Sequence, residues 1–314
     1  MTGIQTSLLT LAVVLLPSCA EEAAPVAQVR QERAPASRPG VPLERAPQAK
    51  QEQKQETKFS RFVEAGETEG RFETAIVTYL DERKRSVDLI GAVHIGDTAY
   101  YAELQKRFES YDALLYELVA PKGTRPVASR KSNNLLSMFQ RGLKNFLDLD
   151  FQLDAIDYTR DNFVHADMSP KQFLARQKEK GESMLTLILR AMLAGIKRQH
   201  EGKGPKYSML HILLSFASPD RARYLKFLFA HDLDEIEKMI AGFGSDNASG
   251  TVIIGERNQE AIKVLVEQLE KGKKKLGIFY GAAHLPDLET RLRQLGFKKS
   301  SQVWITAWDV MKRR

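Results

Sequence analysis

The chain is poor in cysteine, and nearly its first fifth has no aromatic residue. Of 314 residues only Cys19 is a cysteine, which excludes an internal disulfide framework and any Cys-rich zinc module. All 26 Phe, Tyr and Trp residues lie from Phe59 onward, so residues 1–58 cannot share the core of the rest. No apolar run approaches the roughly 20 residues of a membrane-spanning helix. Also missing are a P-loop, a Gly-x-Ser-x-Gly nucleophile elbow and a His-Glu-x-x-His helix, which removes three common catalytic classes.

What is present is a packed core and a modest basic balance. Hydrophobic residues make up 43% of the chain, enough to exclude wholesale disorder. Lys and Arg number 47 against 40 Asp and Glu. The densest basic runs are Lys271 to Lys275 and Lys312 to Arg314, without the aromatic interleaving or module that nucleic-acid binding needs. No nucleic-acid partner is therefore expected. Attraction to an anionic membrane surface would at most assist an anchor.

Leu8 to Pro17 is an apolar run of signal-peptide length. Leu16-Pro17-Ser18-Cys19 resembles a bacterial lipobox, although residues 1–18 contain no Lys or Arg. That resemblance implies a signal peptide over 1–18, lipidation of Cys19, and, through Ala20, sorting to the periplasmic face of the outer membrane in a bacterial cell envelope. The plainer alternative is an ordinary cleaved signal peptide. Residues 20–58 hold five prolines with seven basic and six acidic residues. They read as a disordered tether, so 19–58 forms a lipidated cysteine plus linker.

From 59 to 314 strand and helix signals alternate. Thr74 to Leu80 and Val87 to Val93 read as a hairpin. A helix is expected from Thr98 to Phe108 with Asp97 as its cap, then a strand over Ala113 to Leu118. A largely helical insertion covers about 131–245. Beyond it come a helix over Asn258 to Leu269, a strand over Leu276 to Tyr280, a helix over Leu288 to Leu295 and a strand over Gln302 to Trp308. Leu89-Ile90-Gly91-Ala92-Val93-His94 and Phe279-Tyr280-Gly281-Ala282-Ala283-His284 are similar, and each is followed by helix and strand signals. The expected fold class is α/β: two related strand–GxxH–helix–strand halves forming a mixed sheet, with the helical insertion between them.

Ligands of open α/β sheets bind outside the carboxyl ends of the strands. His94 and His284 each follow such an end, and Glu117 closes the intervening strand. Gly91 and Gly281 would let the backbone turn without a Cβ clash. Two imidazoles and a carboxylate form a competent set for a divalent cation (Mn, Co or Zn). Arg257 opens a helix and could clamp substrate charge. Glu256 reads as a first-turn acid. His165 and Asp167 alternate as strand residues do and could point one way, to contact substrate or support the site. His200, His211 and His231 read as core-edge or surface residues.

Gly91-Ala92-Val93-His94, Glu117 in Tyr116-Glu117-Leu118, Glu256-Arg257-Asn258 and Gly281-Ala282-Ala283-His284 resemble the motifs of the TraB/PrgY/GumN family. That family is related to the TIKI metalloproteases and, more distantly, to the erythromycin-esterase and ChaN-like proteins. The resemblance implies a site of two histidines, one glutamate and one arginine. In TIKI-like members it also implies a divalent cation and peptide-bond hydrolysis. The expectation is an envelope-tethered, metal-dependent hydrolase acting on a peptide or small molecule, with Glu117 as ligand or general base. Two alternatives stay open: metal-independent, esterase-like hydrolysis, and a non-catalytic lipoprotein that sequesters a peptide or haem-like ligand.

Overall fold

The computed structural model describes residues 57–126, 149–181, 200, 220–242 and 251–311. Cys19, His211 and most of the helical insertion expected over about 131–245 lie outside the described residues. The strands are β1 (Ser60–Gly66), β2 (Glu69–Leu80), β3 (Ser86–Ala92), β4 (Ile95–Gly96), β5 (Ala113–Tyr116), β6 (Asp150–Phe151), β7 (Phe163–His165), β8 (Lys275–Gly281) and β9 (Lys298–Asp309). The helices are α1 (Thr98–Phe108), α2 (Gln152–Ala155), α3 (Pro170–Glu179), α4 (Arg221–Gly242), α5 (Arg257–Glu270) and α6 (Leu285–Gln294). A π turn over Val252–Glu256 leads into α5, and a 3-10 turn over Ala282–His284 leads into α6.

The architecture is α/β, around a mixed sheet. In space β2, β3, β8, β5 and β7 follow one another, β9 covers the other edge of β2, and β1 pairs with the first half of β2. Pairs β3–β8, β8–β5 and β5–β7 are parallel, whereas β2 pairs antiparallel with β1, β3 and β9. Successive strand residues face opposite sides, and the core divides accordingly. Ile90, Leu114 and Phe279 pack with Tyr100, Leu104 and Phe108 of α1 on one face. Leu89, Leu115 and Ile278 pack with Leu265 of α5 and Leu288 and Leu292 of α6 on the other. Helices on both faces explain why β3, β5 and β8 are apolar without alternation.

The two GxxH halves start alike and then diverge. β3 and β8 lie side by side, Ala92 pairing with Gly281. The first half returns through α1 to β5, parallel to β8, whereas the second returns through α6 to β9, antiparallel on β2. Neither motif glycine has positive φ, contrary to the expectation of a glycine-dependent turn. Gly91 serves close approach: a Cβ there would lie 3.3 Å from the Phe59 carbonyl oxygen and from Thr74.

Asp97 occupies the cap position of α1, but its side chain makes no capping bond. It accepts from Lys226 Nζ of α4 at 2.9 Å and from the Asp309 backbone N–H at 2.7 Å. The buried Lys226 therefore fastens α4 to the loop after the first motif. The N-terminal residue of α3, by contrast, is a capping box: Ser169 and Gln172 satisfy each other's backbone N–H.

Candidate functional site

Four parallel strands deliver four candidate residues to one rim. His94 follows β3, Glu117 follows β5, Asp167 follows β7 and His284 follows β8. The register sets their level, because Ala92 pairs with Gly281, and Tyr116 pairs with both Phe279 and His165.

Glu117 is the hub. Its Oε1 accepts from Arg257 Nη2 at 2.7 Å, and its Oε2 accepts from the Gly281 backbone N–H at 2.8 Å. Arg257 spans two carboxylates, with Nε and Nη2 donating to Asp167 at 3.0 and 2.5 Å. Burial alone would raise the Glu117 carboxyl. Arg257, then His284 and His94, override it and hold Glu117 well below the usual carboxylate range. Burial likewise works against the Arg257 cation, but Asp167 and Glu117 keep it charged. The guanidinium is thus committed to holding two carboxylates, rather than free to clamp a substrate as its sequence position suggested.

His284 is buried, and its Nε2 stands 3.6 Å from Glu117 Oε1. Burial pushes its pKa down to about 4, against the pull of Glu117, so the imidazole is neutral near pH 7. Asn258 fixes the tautomer. Its Nδ2 donates to the His284 carbonyl at 3.0 Å and to Asp287 Oδ2 at 2.8 Å, which turns Oδ1 towards His284 Nδ1 at 2.7 Å. Nδ1–H donates there, and Nε2 keeps its lone pair.

His94 is arranged the same way, although exposed. Its Nδ1 lies 3.2 Å from Gln152 Oε1, and Gln152 Nε2 donates to the buried Tyr158 hydroxyl at 2.9 Å. The Gln152 backbone N–H also donates to the His94 carbonyl at 2.9 Å. Each motif histidine therefore has Nδ1 held by a side-chain amide oxygen and Nε2 open, the usual preparation of a metal-ligating imidazole.

The donor chemistry fits a divalent cation. Two ligands about 2.1 Å from one tetrahedral ion lie roughly 3.4 Å apart, close to the 3.6 Å between His284 Nε2 and Glu117 Oε1. Among the described residues, no group of three or more His, Cys, Asp or Glu side chains is already disposed to hold an ion. His94, on the exposed loop, is the donor that would have to close in.

The expected His165–Asp167 pair divides. Asp167 joins the site through Arg257. His165 Nε2 donates to the Leu118 carbonyl at 2.7 Å, while its Nδ1 accepts from the Gly123 backbone N–H at 3.2 Å. It therefore ties down the loop after β5. Glu256, expected as a first-turn acid, sits at the N-terminal end of α5 without a side-chain capping bond, and pairs with Lys180 at 2.9 Å and Arg176 at 3.6 Å, joining α3 to the start of α5. His200 is exposed, and His231 is half-buried 3.8 Å from Glu64. Gln152 and Tyr158 had no sequence signal. Asn258 lay within a family-like motif, but nothing marked it as the partner of His284. Comparison with protein-family models, with curated proteins and with solved structures yields no match for this chain.

Proposed function

We propose that the protein is a hydrolase of peptide-like amide or ester bonds, with His284, Glu117 and His94 around the reacting centre and a divalent cation (Mn, Co or Zn) as cofactor. The observation that carries this reading is the 3.6 Å approach of an unprotonated His284 Nε2 to an ionised Glu117 Oε1. Two lone pairs repel at that separation, so a cation or a water O–H belongs between them. The residues that would hold the cation are His284 and His94 through Nε2, and Glu117. Such an ion lowers the pKa of a bound water and supplies a nucleophile near neutral pH.

The chain's own groups then have distinct duties. Glu117, kept anionic by Arg257, would serve as a charged ligand more than as a base, since a carboxylate held well below its usual range accepts a proton poorly. Asn258 and Gln152 keep the histidines in the tautomer that leaves Nε2 available. Glu117 and Asp167 together outweigh the single Arg257 cation, and this surplus negative charge stabilises any positive centre at the rim. The motif resemblance supports placing the chain beside the TraB/PrgY/GumN proteins. The N-terminal sequence supports export, lipidation at Cys19 and an envelope-tethered enzyme.

A second reading uses the same atoms without metal: His284 is the general base, oriented by Asn258 through Nδ1–H at 2.7 Å. The test is elemental analysis of the purified full chain, with turnover of peptide libraries before and after chelation. The expected outcome is loss on chelation, recovery with one of the three metals, and no turnover in His94→Ala or His284→Ala. Chelator-insensitive turnover that still needs His284 would establish the second reading. Retained metal and turnover in both variants would sink the site assignment. Tight ligand binding or a Soret band without product would point to sequestration instead.

A further inference from the structure

The pole of the sheet opposite the rim gathers positive charge from three separate pieces of chain. The β2–β3 turn carries Arg83-Lys84-Arg85, the α5–β8 connection carries Lys271 to Lys275, and β9 opens with Lys298-Lys299. Register brings them together. Leu80 pairs with Lys298, Ser86 pairs with Lys275, and the Ser86 backbone N–H donates to the Lys274 carbonyl at 2.8 Å. These segments hold nine Lys and Arg, with Asp81, Glu82, Asp112 and Glu270 as the neighbouring acids. Two of those acids are engaged. Asp81 pairs with Arg85 at 2.6 Å, and Asp112 accepts from the backbone N–H groups of Lys274 and Lys275.

We infer that this pole is a docking face for the surface of an anionic phospholipid bilayer, with the Glu117 rim turned away from it. Arg83, Lys84, Lys271, Lys274 and Lys298 are all exposed. Flexible ammonium heads spread over three loops match a diffuse layer of headgroup charge better than one enclosed anion. Crowding them costs self-repulsion that a negative surface removes. The seven residues of β3 separate this pole from the rim, about 20 Å at roughly 3.3 Å each. That is more than a Debye length at physiological salt, so an anionic surface here leaves the rim's electrostatics intact.

The covalent path of the chain points the same way. Lys299 Nζ donates to Gln302 Oε1 at 2.7 Å, and Gln302 Nε2 donates to the Lys58 carbonyl at 2.9 Å. Lys58 is where the N-terminal segment, with its apolar run and Cys19, joins the fold. A single-stranded nucleic acid would also use aromatic stacking platforms. The aromatic ring in contact with these cations is Tyr111, 5.4 Å beneath Lys275 and buried.

The experiment is co-sedimentation of the full chain, carrying Cys19→Ser so that no lipid is attached, with phosphatidylcholine vesicles with and without phosphatidylglycerol. Binding should require phosphatidylglycerol and weaken as salt rises. Lys271→Glu/Lys273→Glu/Lys274→Glu should lower affinity on the order of 100-fold, since each basic residue near an anionic surface contributes roughly tenfold or less. Arg83→Glu/Lys84→Glu, on a different loop, should weaken binding on the order of tenfold and guards against misfolding of the first variant. Equal binding to neutral vesicles, undiminished binding by both variants, or tighter binding to duplex DNA at the same salt would each overturn the inference.

Discussion

His284 Nε2 and Glu117 Oε1 face each other across 3.6 Å with no proton assigned between them. The ring cannot turn this lone pair away, because Asn258 engages the opposite nitrogen and is itself held by the His284 carbonyl and Asp287. On the proposed function, this is the place of the third, electron-deficient partner.

Asn258→Ala should therefore reduce turnover or metal affinity by about 10–100-fold, as loss of a partner behind a metal-ligating histidine does. Asn258→Asp keeps an acceptor at Nδ1 but sets an oxygen against the His284 carbonyl and Asp287, so it should not restore wild-type activity. Equal activity in wild type and Asn258→Ala would remove Asn258 from the site.

Arg257→Met should be more damaging to the fold than to any surface property. It leaves the buried Asp167 and the Glu117 carboxylate without their shared cation. Breaking a buried ion pair from one side costs about 3–5 kcal/mol. Urea unfolding measures this, and a loss under about 1 kcal/mol would show that the cluster tolerates an unpaired charge.

Lys226→Met should unfasten α4 from the loop after the first motif. Asp97 would keep the Asp309 N–H and partial solvent contact, so the expected cost is smaller, about 1–3 kcal/mol. Hydrogen exchange should rise together at the start of α4 and around Asp97. Protection unchanged at Asp97 would mean that the two segments are not coupled.

Asp112 provides a pH test remote from the chemistry. The backbone N–H groups of Lys275 and then Lys274 donate to its carboxylate and hold it below the ordinary Asp value of 3.8. Its folded-state pKa is depressed, so its stabilisation is complete above the unfolded-state value and disappears as pH falls through the folded one. Asp112→Ala should cost about 1 kcal/mol at neutral pH. The gap between variant and wild type should close in strong acid. A gap that persisted in strong acid would assign the effect to packing.

The local periodicities were the most legible part of the sequence. Thr98–Phe108 is a helix with the expected bounds, and β8, α5 and α6 match their expected positions to within a few residues. β1 leaves no apolar alternation to read, because Ser60–Gly66 pairs with the first half of β2 and none of its residues is fully buried. The site's principal histidines and Glu117 could be named because each sits just beyond an apolar strand. Their supporting amides could not. Gln152 is 58 residues from His94, and nothing local distinguishes a buried amide that fixes a tautomer from a surface one. Arg257 was found, but its commitment to Asp167 depends on a contact across 90 residues.

The pairing of β9 with β2 also bears on how the chain folds. Thr74 meets Ile305 in that ladder, so one edge of β2 waits for a segment more than 200 residues further along the chain to be synthesised. Contacts this distant in sequence slow folding. During that delay β2 is an open edge, inclined to pair with other chains. A chain interrupted ahead of Lys298 would be left permanently adhesive, with both histidines present and its sheet never closed.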